Sequence, residues 1–213
     1  MRGRIIKVDP DRAHPGVIRT IVRTLRQGGL IVYPTDTFYG LGADCFSAVA
    51  LSRIYKVKGR PLSKALPVLV ADAETVRRLA AEIPPDFDRL AAAFWPGPLT
   101  LILKAAFDLP AELVGPDRTI GVRLPAVVWL RDLIRAAGFP VVATSANISG
   151  EGEIDTGEEA IREFGGKVDL IVDGGKTTGG RPSTVIDLSS GEPILRRAGA
   201  IPRAQIDKVV LIK

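Results

Sequence analysis

Cysteine and histidine are nearly absent from this sequence. Cys45 and His14 are its only representatives in 213 residues. A disulfide scaffold is excluded, because a bridge needs two thiols. A zinc centre of Cys/His type and a Cys/His nucleophile pair are likewise left without enough partners. Aromatic residues make up only 6% of the chain, a poor supply for stacking on single-stranded nucleic acid. No apolar run approaches the ~20 residues of a membrane span. Residues 1–10 lack the apolar core of a signal peptide, so a cytoplasmic protein with no membrane partner is expected. There is no internal repeat, low-complexity linker or composition break, and the length favours one domain over residues 1–213.

What is present is an ordinary globular composition, 46% hydrophobic and 25% charged, with a net charge of +5. The charge is unevenly distributed. Residues 1–78 carry 14 Lys/Arg against 6 Asp/Glu, whereas residues 79–213 carry 15 against 18. A concentrated basic excess is either a solvated surface or a device for a polyanion such as nucleic acid, nucleotide or pyrophosphate.

Short β-branched runs alternate with amphipathic stretches. Strands are predicted at 4–8, 30–33, 66–70, 99–103, 120–123, 141–144, 170–172 and 184–188. Helices are predicted at 15–27, 48–57, 73–81, 86–94, 127–137, 157–164 and 203–209, with Ser47 and Asp72 as N-caps and a Thr156/Glu159 capping box. This order predicts an α/β fold with a mixed sheet. Gly (22) and Pro (16) residues cluster in loops such as 95–98 and 173–182, at strand ends where α/β proteins place sites.

Three segments concentrate polar groups. In Tyr33-Pro34-Thr35-Asp36-Thr37-Phe38-Tyr39-Gly40-Leu41-Gly42 a buried strand breaks into hydroxyls, a carboxylate and two glycines. That is either a turn bonding its own backbone or a ligand loop, and the glycine pair favours close backbone approach to a ligand. In Lys56-Val57-Lys58-Gly59-Arg60-Pro61-Leu62-Ser63-Lys64, Lys56 and Lys58 suit a helix C-terminus. Arg60 and Lys64 lie beyond it, and a planar fork with a point charge suits a polyphosphate. No Walker-type loop is present. In Val141-Val142-Ala143-Thr144-Ser145-Ala146-Asn147-Ile148-Ser149-Gly150 a buried strand runs into small polar groups. Ser145 and Asn147 face the same way where the chain stays extended and read as hydrogen-bonding partners of a ligand, since no nucleophile elbow or partnering His accompanies Ser145. Thr119 and Arg123 similarly share one side of a regular strand. The acidic stretch 151–163 reads as a solvated helix with its loop, and Cys45 as a small buried residue.

Taken in order, the Pro-Thr-Asp-Thr-Phe-Tyr-Gly-Leu-Gly, Lys-Gly-Arg-Pro, Pro-Gly-Pro-Leu-Thr, Gly-Val-Arg-Leu-Pro, Thr-Ser-Ala-Asn-Ile-Ser-Gly and Pro-Ser-Thr-Val-Ile-Asp segments resemble the YrdC-like family over residues 18–199. The resemblance implies a twisted open mixed sheet with flanking helices around a large basic cavity. It implies a nucleotidyltransferase that makes threonylcarbamoyl-AMP from L-threonine, bicarbonate and ATP and releases pyrophosphate, for N6-threonylcarbamoyladenosine in tRNA. Its Lys-x-Arg and Ser-x-Asn signatures fall on Lys58, Arg60, Ser145 and Asn147 as catalytic positions. Thr37, Arg123, Ala143 and Ser183 are implied for threonine, and Arg60, Lys64, Thr119, Ser145 and Arg197 for ATP. Mg2+ is expected to come with ATP, with no protein metal site. The tRNA threonylcarbamoyl-transfer machinery is the implied partner, with tRNA or double-stranded RNA as candidate polyanions. Two positions depart from the pattern. Many members continue Arg-Pro with Asp-Asn-Pro and a later His, where this chain has Ser63, Lys64, Ala65 and Leu69. Some members also carry a further C-terminal domain, and this chain resembles the short form. A non-catalytic RNA-binding protein of the same fold and a carbamoyl-transfer domain are the rival readings.

Overall fold

The computed structural model describes residues 3–9, 14–115 and 117–213. The strands are β1 (Arg4–Lys7), β2 (Ile31–Pro34), β3 (Tyr39–Gly42), β4 (Val68–Leu69), β5 (Leu99–Lys104), β6 (Thr119–Arg123), β7 (Val141–Val142), β8 (Thr144–Ser145), β9 (Leu170–Asp173), β10 (Thr184–Asp187) and β11 (Ile194–Arg197). The helices are α1 (Pro15–Arg26), α2 (Ala48–Lys58), α3 (Ala73–Leu79), α4 (Pro85–Phe94), α5 (Val128–Ala137), α6 (Gly157–Phe164) and α7 (Arg203–Ile206). None of these helices is long and apolar enough to cross a membrane.

The helix ends follow local chemistry. Ser47, Asp72 and Thr156 each accept a bond from a backbone N–H three residues on. Only half of the predicted capping box forms, since the Glu159 carboxylate pairs with Arg162 at 3.8 Å. His14, without a partner in the sequence, proves to be the N-cap of α1, its Nδ1 accepting the Gly16 N–H at 3.1 Å. Gly59 and Gly138 end α2 and α5 in the left-handed region at φ 60° and 82°, where a side chain would be strained.

The fold is mixed α/β as expected, but the strands divide between two open sheets. One runs β1-β9-β2-β3-β8 and the other β11-β10-β5-β6-β4-β7, each combining parallel and antiparallel pairs. The division arises at 141–145. β7 pairs with β4, β8 pairs with β3, and Ala143 between them donates its N–H to the Pro67 carbonyl instead of continuing a ladder. β3 and β11 were not anticipated, because Gly-rich and Arg-rich stretches carry weak strand signals.

Tyr33 joins the two sheets. Its fully buried ring lies against Gly40 and Gly42, where a Cβ on Gly42 would come within 2.6 Å of the ring and 2.7 Å of the Val142 carbonyl. Its hydroxyl donates to that same carbonyl at 2.9 Å. Burial pushes the phenol pKa far up. The glycine pair expected to admit a ligand therefore first admits this ring. Beneath the first sheet, Ile21 and Leu25 of α1 pack with Leu130 and Leu133 of α5 against Ile31 and Val172. Each such buried side chain contributes about 1.5–3 kcal/mol.

Candidate active site

A cavity of about 280 Å³ opens where the two sheets meet. The β2–β3 turn contributes Asp36 and Thr37, the segment after α2 contributes Arg60, β6 contributes Thr119, Gly121 and Arg123, and the 143–145 crossing contributes Ala143 and Ser145. Ser183 and Arg197 come from the β10–β11 side. Side chains distant in the sequence thus converge because the sheet crossing brings strand ends together. Thr119, Gly121 and Arg123 alternate onto one face of β6, as a regular strand requires.

Three arginines line the space, and each is anchored by backbone carbonyls. Arg60 donates through Nε to the Lys64 carbonyl at 3.2 Å and through Nη2 to the Ala65 carbonyl at 2.9 Å. Arg197 donates through Nε and Nη2 to the Ser183 carbonyl at 3.1 and 2.9 Å, and through Nη2 to the Ser183 hydroxyl at 3.0 Å. Arg123 donates through Nε to the Gly97 carbonyl at 3.0 Å, within the proline-rich 95–98 loop. A guanidinium carries five N–H donors, so donors remain for a ligand on every one. Burial lowers the pKa of Arg60 and of Arg197, which still leaves them charged; for Arg197, Glu153 opposes the shift and Arg123 adds to it.

Among the eleven site residues derived from the sequence, Thr37, Arg60, Thr119, Arg123, Ala143, Ser145, Ser183 and Arg197 line this cavity, while Lys58, Lys64 and Asn147 do not. Lys58 is 2% exposed and sits behind the 145–147 segment. Its Nζ donates to the Ser145 carbonyl, to the Asn147 carbonyl at 2.7 Å and to Asn147 Oδ1 at 3.1 Å. Burial and the nearby Arg60 bring its pKa from 10.5 down to about 8, with Glu153 opposing. Asn147 completes the network, accepting from Ser145 Oγ at 2.6 Å and donating to the Glu151 carbonyl at 2.7 Å. The extended chain ends at Ser145. The two side chains bond each other, and of the two only Ser145 lines the cavity. The Lys64 side chain is exposed, and its carbonyl serves both Arg60 and Tyr55.

The β2–β3 turn combines both readings of its sequence. Thr35 closes it, with Oγ1 donating to the Phe38 carbonyl at 2.7 Å and accepting from the Thr37 N–H at 3.1 Å. Asp36 and Thr37 meanwhile face the cavity. The 174–182 loop holds the turn from outside through Thr178 Oγ1 on the Asp36 carbonyl (2.8 Å) and Thr177 Oγ1 on the Thr37 carbonyl (2.9 Å). Two lining carboxylates, Asp36 and Glu153, were not assigned from the sequence. Asp36 carried one signal, a lone acid directly after a buried strand. Glu153 carried none, since it sits in an acidic stretch that reads as solvated. Leu69 forms part of the apolar wall, beside Arg123 in the β4–β6 register.

No group of three or more His, Cys, Asp or Glu side chains fit to hold a metal ion occurs among the described residues. The polar equipment of the cavity is instead three guanidinium groups, several hydroxyls and two carboxylates. That is a donor-rich surface for a multiply charged anion beside a small polar molecule.

Residues 23–199 match the Sua5/YciO/YrdC family model, described as telomere recombination. The chain is 40% identical over 200 residues to the threonylcarbamoyl-AMP synthase of Pyrococcus abyssi, covering 94% of this chain and 59% of that relative. Identity to the Methylobacillus flagellatus threonylcarbamoyl-AMP synthase is 37% over 174 residues, 81% of this chain and 96% of the relative. The solved structure of P. abyssi Sua5 complexed with L-threonine superposes with a TM-score of 0.93 at 40% identity, covering 98% of this chain and 62% of that one. The chain thus spans less than two thirds of the length of the P. abyssi protein and 54% of the Bacillus subtilis relative.

Proposed function

Because the chain belongs to the Sua5/YciO/YrdC family, we propose that it synthesises threonylcarbamoyl-AMP from L-threonine, bicarbonate and ATP, releasing pyrophosphate, and that the product feeds threonylcarbamoylation of adenosine in tRNA in the cytoplasm. The observation that carries this reading is the convergence of Arg60, Arg123 and Arg197 with Thr37, Ser145 and Ser183 on one cavity. It suits an anionic nucleotide and a small amino acid held side by side.

In this reading the threonine amine captures CO2 or bicarbonate as a carbamate. A carbamate oxygen then attacks the α-phosphorus of ATP, and pyrophosphate leaves. No covalent enzyme intermediate is required. The protein aligns the nucleophile with the leaving group and supplies positive charge around the phosphates. Arg60 and Arg197 face the phosphates, with Ser145 and Thr119 as hydrogen-bonding partners of the nucleotide. Arg123 takes the threonine carboxylate, and Thr37, Ala143 and Ser183 surround the amino acid. Lys58 and Asn147 act at one remove, holding the segment that presents Ser145. Lys64 acts from the exposed rim. Asp36 lies 2.6 Å from an arginine nitrogen and Glu153 stands alone as a second acid, so Mg2+ enters as part of the ATP substrate.

The test is pyrophosphate release from Mg-ATP with and without threonine and bicarbonate, with mass spectrometry of the adenylate. Release that requires both co-substrates supports the reading. Turnover independent of threonine overturns it.

A further inference from the structure

We propose that the groove between α1 and α5 is a docking site for an acidic amphipathic helix of a partner protein. The partner's carboxylates meet Arg19, Arg23 and Arg26, and its apolar side chains enter between the two helices. This groove shares no lining residue with the cavity, so the proposal stands apart from the reading above.

The groove encloses about 530 Å³. Its apolar floor is Ile18 and Val22 of α1 with Ala136 of α5, and its basic rim is Arg19, Arg23 and Arg26, all three exposed. On a helix, positions 19, 23 and 26 stand one above another, and 18 and 22 form the adjoining stripe. No carboxylate lines the groove, and α1 carries no acid of its own. Arg26 Nη2 reaches the Ala136 and Ala137 carbonyls at the end of α5, at 3.4 and 3.2 Å. Arg19 and Arg23 make no hydrogen bond or ion pair with any described residue.

The other helices treat their arginines differently. Each of α2 to α7 has an arginine paired with a carboxylate, from Arg53 with Asp169 on α2 to Arg203 with Asp207 on α7. On α1 three like charges instead stack within two turns, where repulsion at i, i+4 weakens a helix. An anion from outside the chain relieves that repulsion. Of the basic excess in residues 1–78, the cavity lining takes only Arg60, and α1 holds three more cations. The shape of the groove selects the class of anion. Ile18 and Val22 form an apolar floor that a phosphodiester backbone leaves uncovered, and no aromatic side chain lines the groove to stack on a base. A helix laid along α1 repeats with the same rise, so acids at i, i+4 and i+7 span the same two turns, about 10 Å, as the arginines. Its apolar stripe then covers the floor, and each guanidinium fork meets a carboxylate.

The test is fluorescence anisotropy with three labelled helical peptides of about 18 residues. One carries a leucine stripe beside a glutamate stripe, the second has its leucines replaced by glutamine, and the third has its glutamates replaced by lysine. Wild-type protein should bind the first at least about tenfold more tightly than either control. That affinity should fall as salt is raised from about 0.05 to 0.5 M. The double variant Arg19→Glu, Arg23→Glu should weaken it about tenfold or more, with pyrophosphate release at the cavity unchanged. Equal binding of the leucine-free peptide shows that charge alone is read and overturns the proposal, as does no binding of the first peptide. A short RNA duplex that outcompetes the first peptide on wild type and loses affinity in the double variant makes the groove a nucleic-acid site and overturns it too. So does a wild-type dimer in sedimentation velocity that the double variant dissociates, because a second copy then fills the groove. The wild-type peptide comparisons need no variant to fold. Absence of threonine-dependent pyrophosphate release in the wild type overturns the reading of the cavity and leaves the peptide comparisons to decide the docking site.

Discussion

Two clusters of buried polar groups meet at this cavity, and they differ in what holds them together. Around Lys58, the ammonium has three oxygen acceptors, Ser145 Oγ has one, and the Asn147 amide is engaged at both its oxygen and its nitrogen. Around Asp36 and Arg123, a carboxylate and a guanidinium are held by opposite charge, with Asp36 Oδ1 2.6 Å from Arg123 Nη2. Of the first cluster only Ser145 reaches the cavity lining, whereas Asp36 and Arg123 both belong to it. A hydrogen-bonded buried network specifies a conformation, whereas a buried ion pair must offset the desolvation of both its charges. Residues of similar charge and burial therefore serve different ends, the first shaping the wall and the second keeping a buried arginine paired within it.

The largest expected effect that sharpens this contrast is on Lys58. Lys58→Met leaves three buried oxygens without their donor and should cost about 4 kcal/mol in urea unfolding, on the scale of bonds to a charged group. A loss under about 1 kcal/mol would show that the network is not structural. Arg60→Ala should reduce kcat/KM for pyrophosphate release by about 2–4 kcal/mol of transition-state stabilisation. Near-normal activity would remove Arg60 from the nucleotide site.

The pH dependence separates the clusters further. The Lys58 pKa falls from 10.5 to about 8 on folding, so between these values the unfolded chain binds a proton that the folded chain has released. Its contribution to stability therefore rises with pH across that window, by up to about 3 kcal/mol, and is flat below it. Unfolding of wild type compared with Lys58→Met from pH 7 to 10 reads this difference directly, and parallel profiles would refute it.

Asn147→Ala should cost about 2 kcal/mol, because Lys58, Ser145 and the Glu151 carbonyl each lose a partner. The smallest effect belongs to the other side. Asp36→Asn leaves Arg123 buried without its counter-charge, 2.6 Å away in the wild type, and should cost about 1–2 kcal/mol in urea unfolding. No loss of stability would show that the ion pair does not hold the wall.

Much of the fold was legible residue by residue. The caps at Ser47, Asp72 and Thr156 and the β-branched runs all act within a few residues, and each element they predict is present. Strand β3 was not legible, because Gly40 and Gly42 signal a loop until the Tyr33 ring that fills their missing side chains is known. In the candidate site, the residue types that meet at the cavity were found through the ordered motifs. Asp36 was passed over because nothing local separates a turn-bonding aspartate from one paired with Arg123 across the fold.

By itself the sequence determined the helices and most strands, the family and the polar residues available for chemistry. These depend on short-range propensity and on ordered motifs. Only the tertiary structure decided how those residues divide. Lys58 meets Asn147 across 89 positions, and the crossing of the chain between two sheets at Ala143 sets which side chains enter the cavity. The strand period predicts the same facing for Ser145 and Asn147 only while the chain remains extended, and it remains extended only as far as a neighbouring strand pairs with it. Here Ser145 is the last residue in the ladder with β3; it lines the cavity, and Asn147 accepts its hydroxyl from behind.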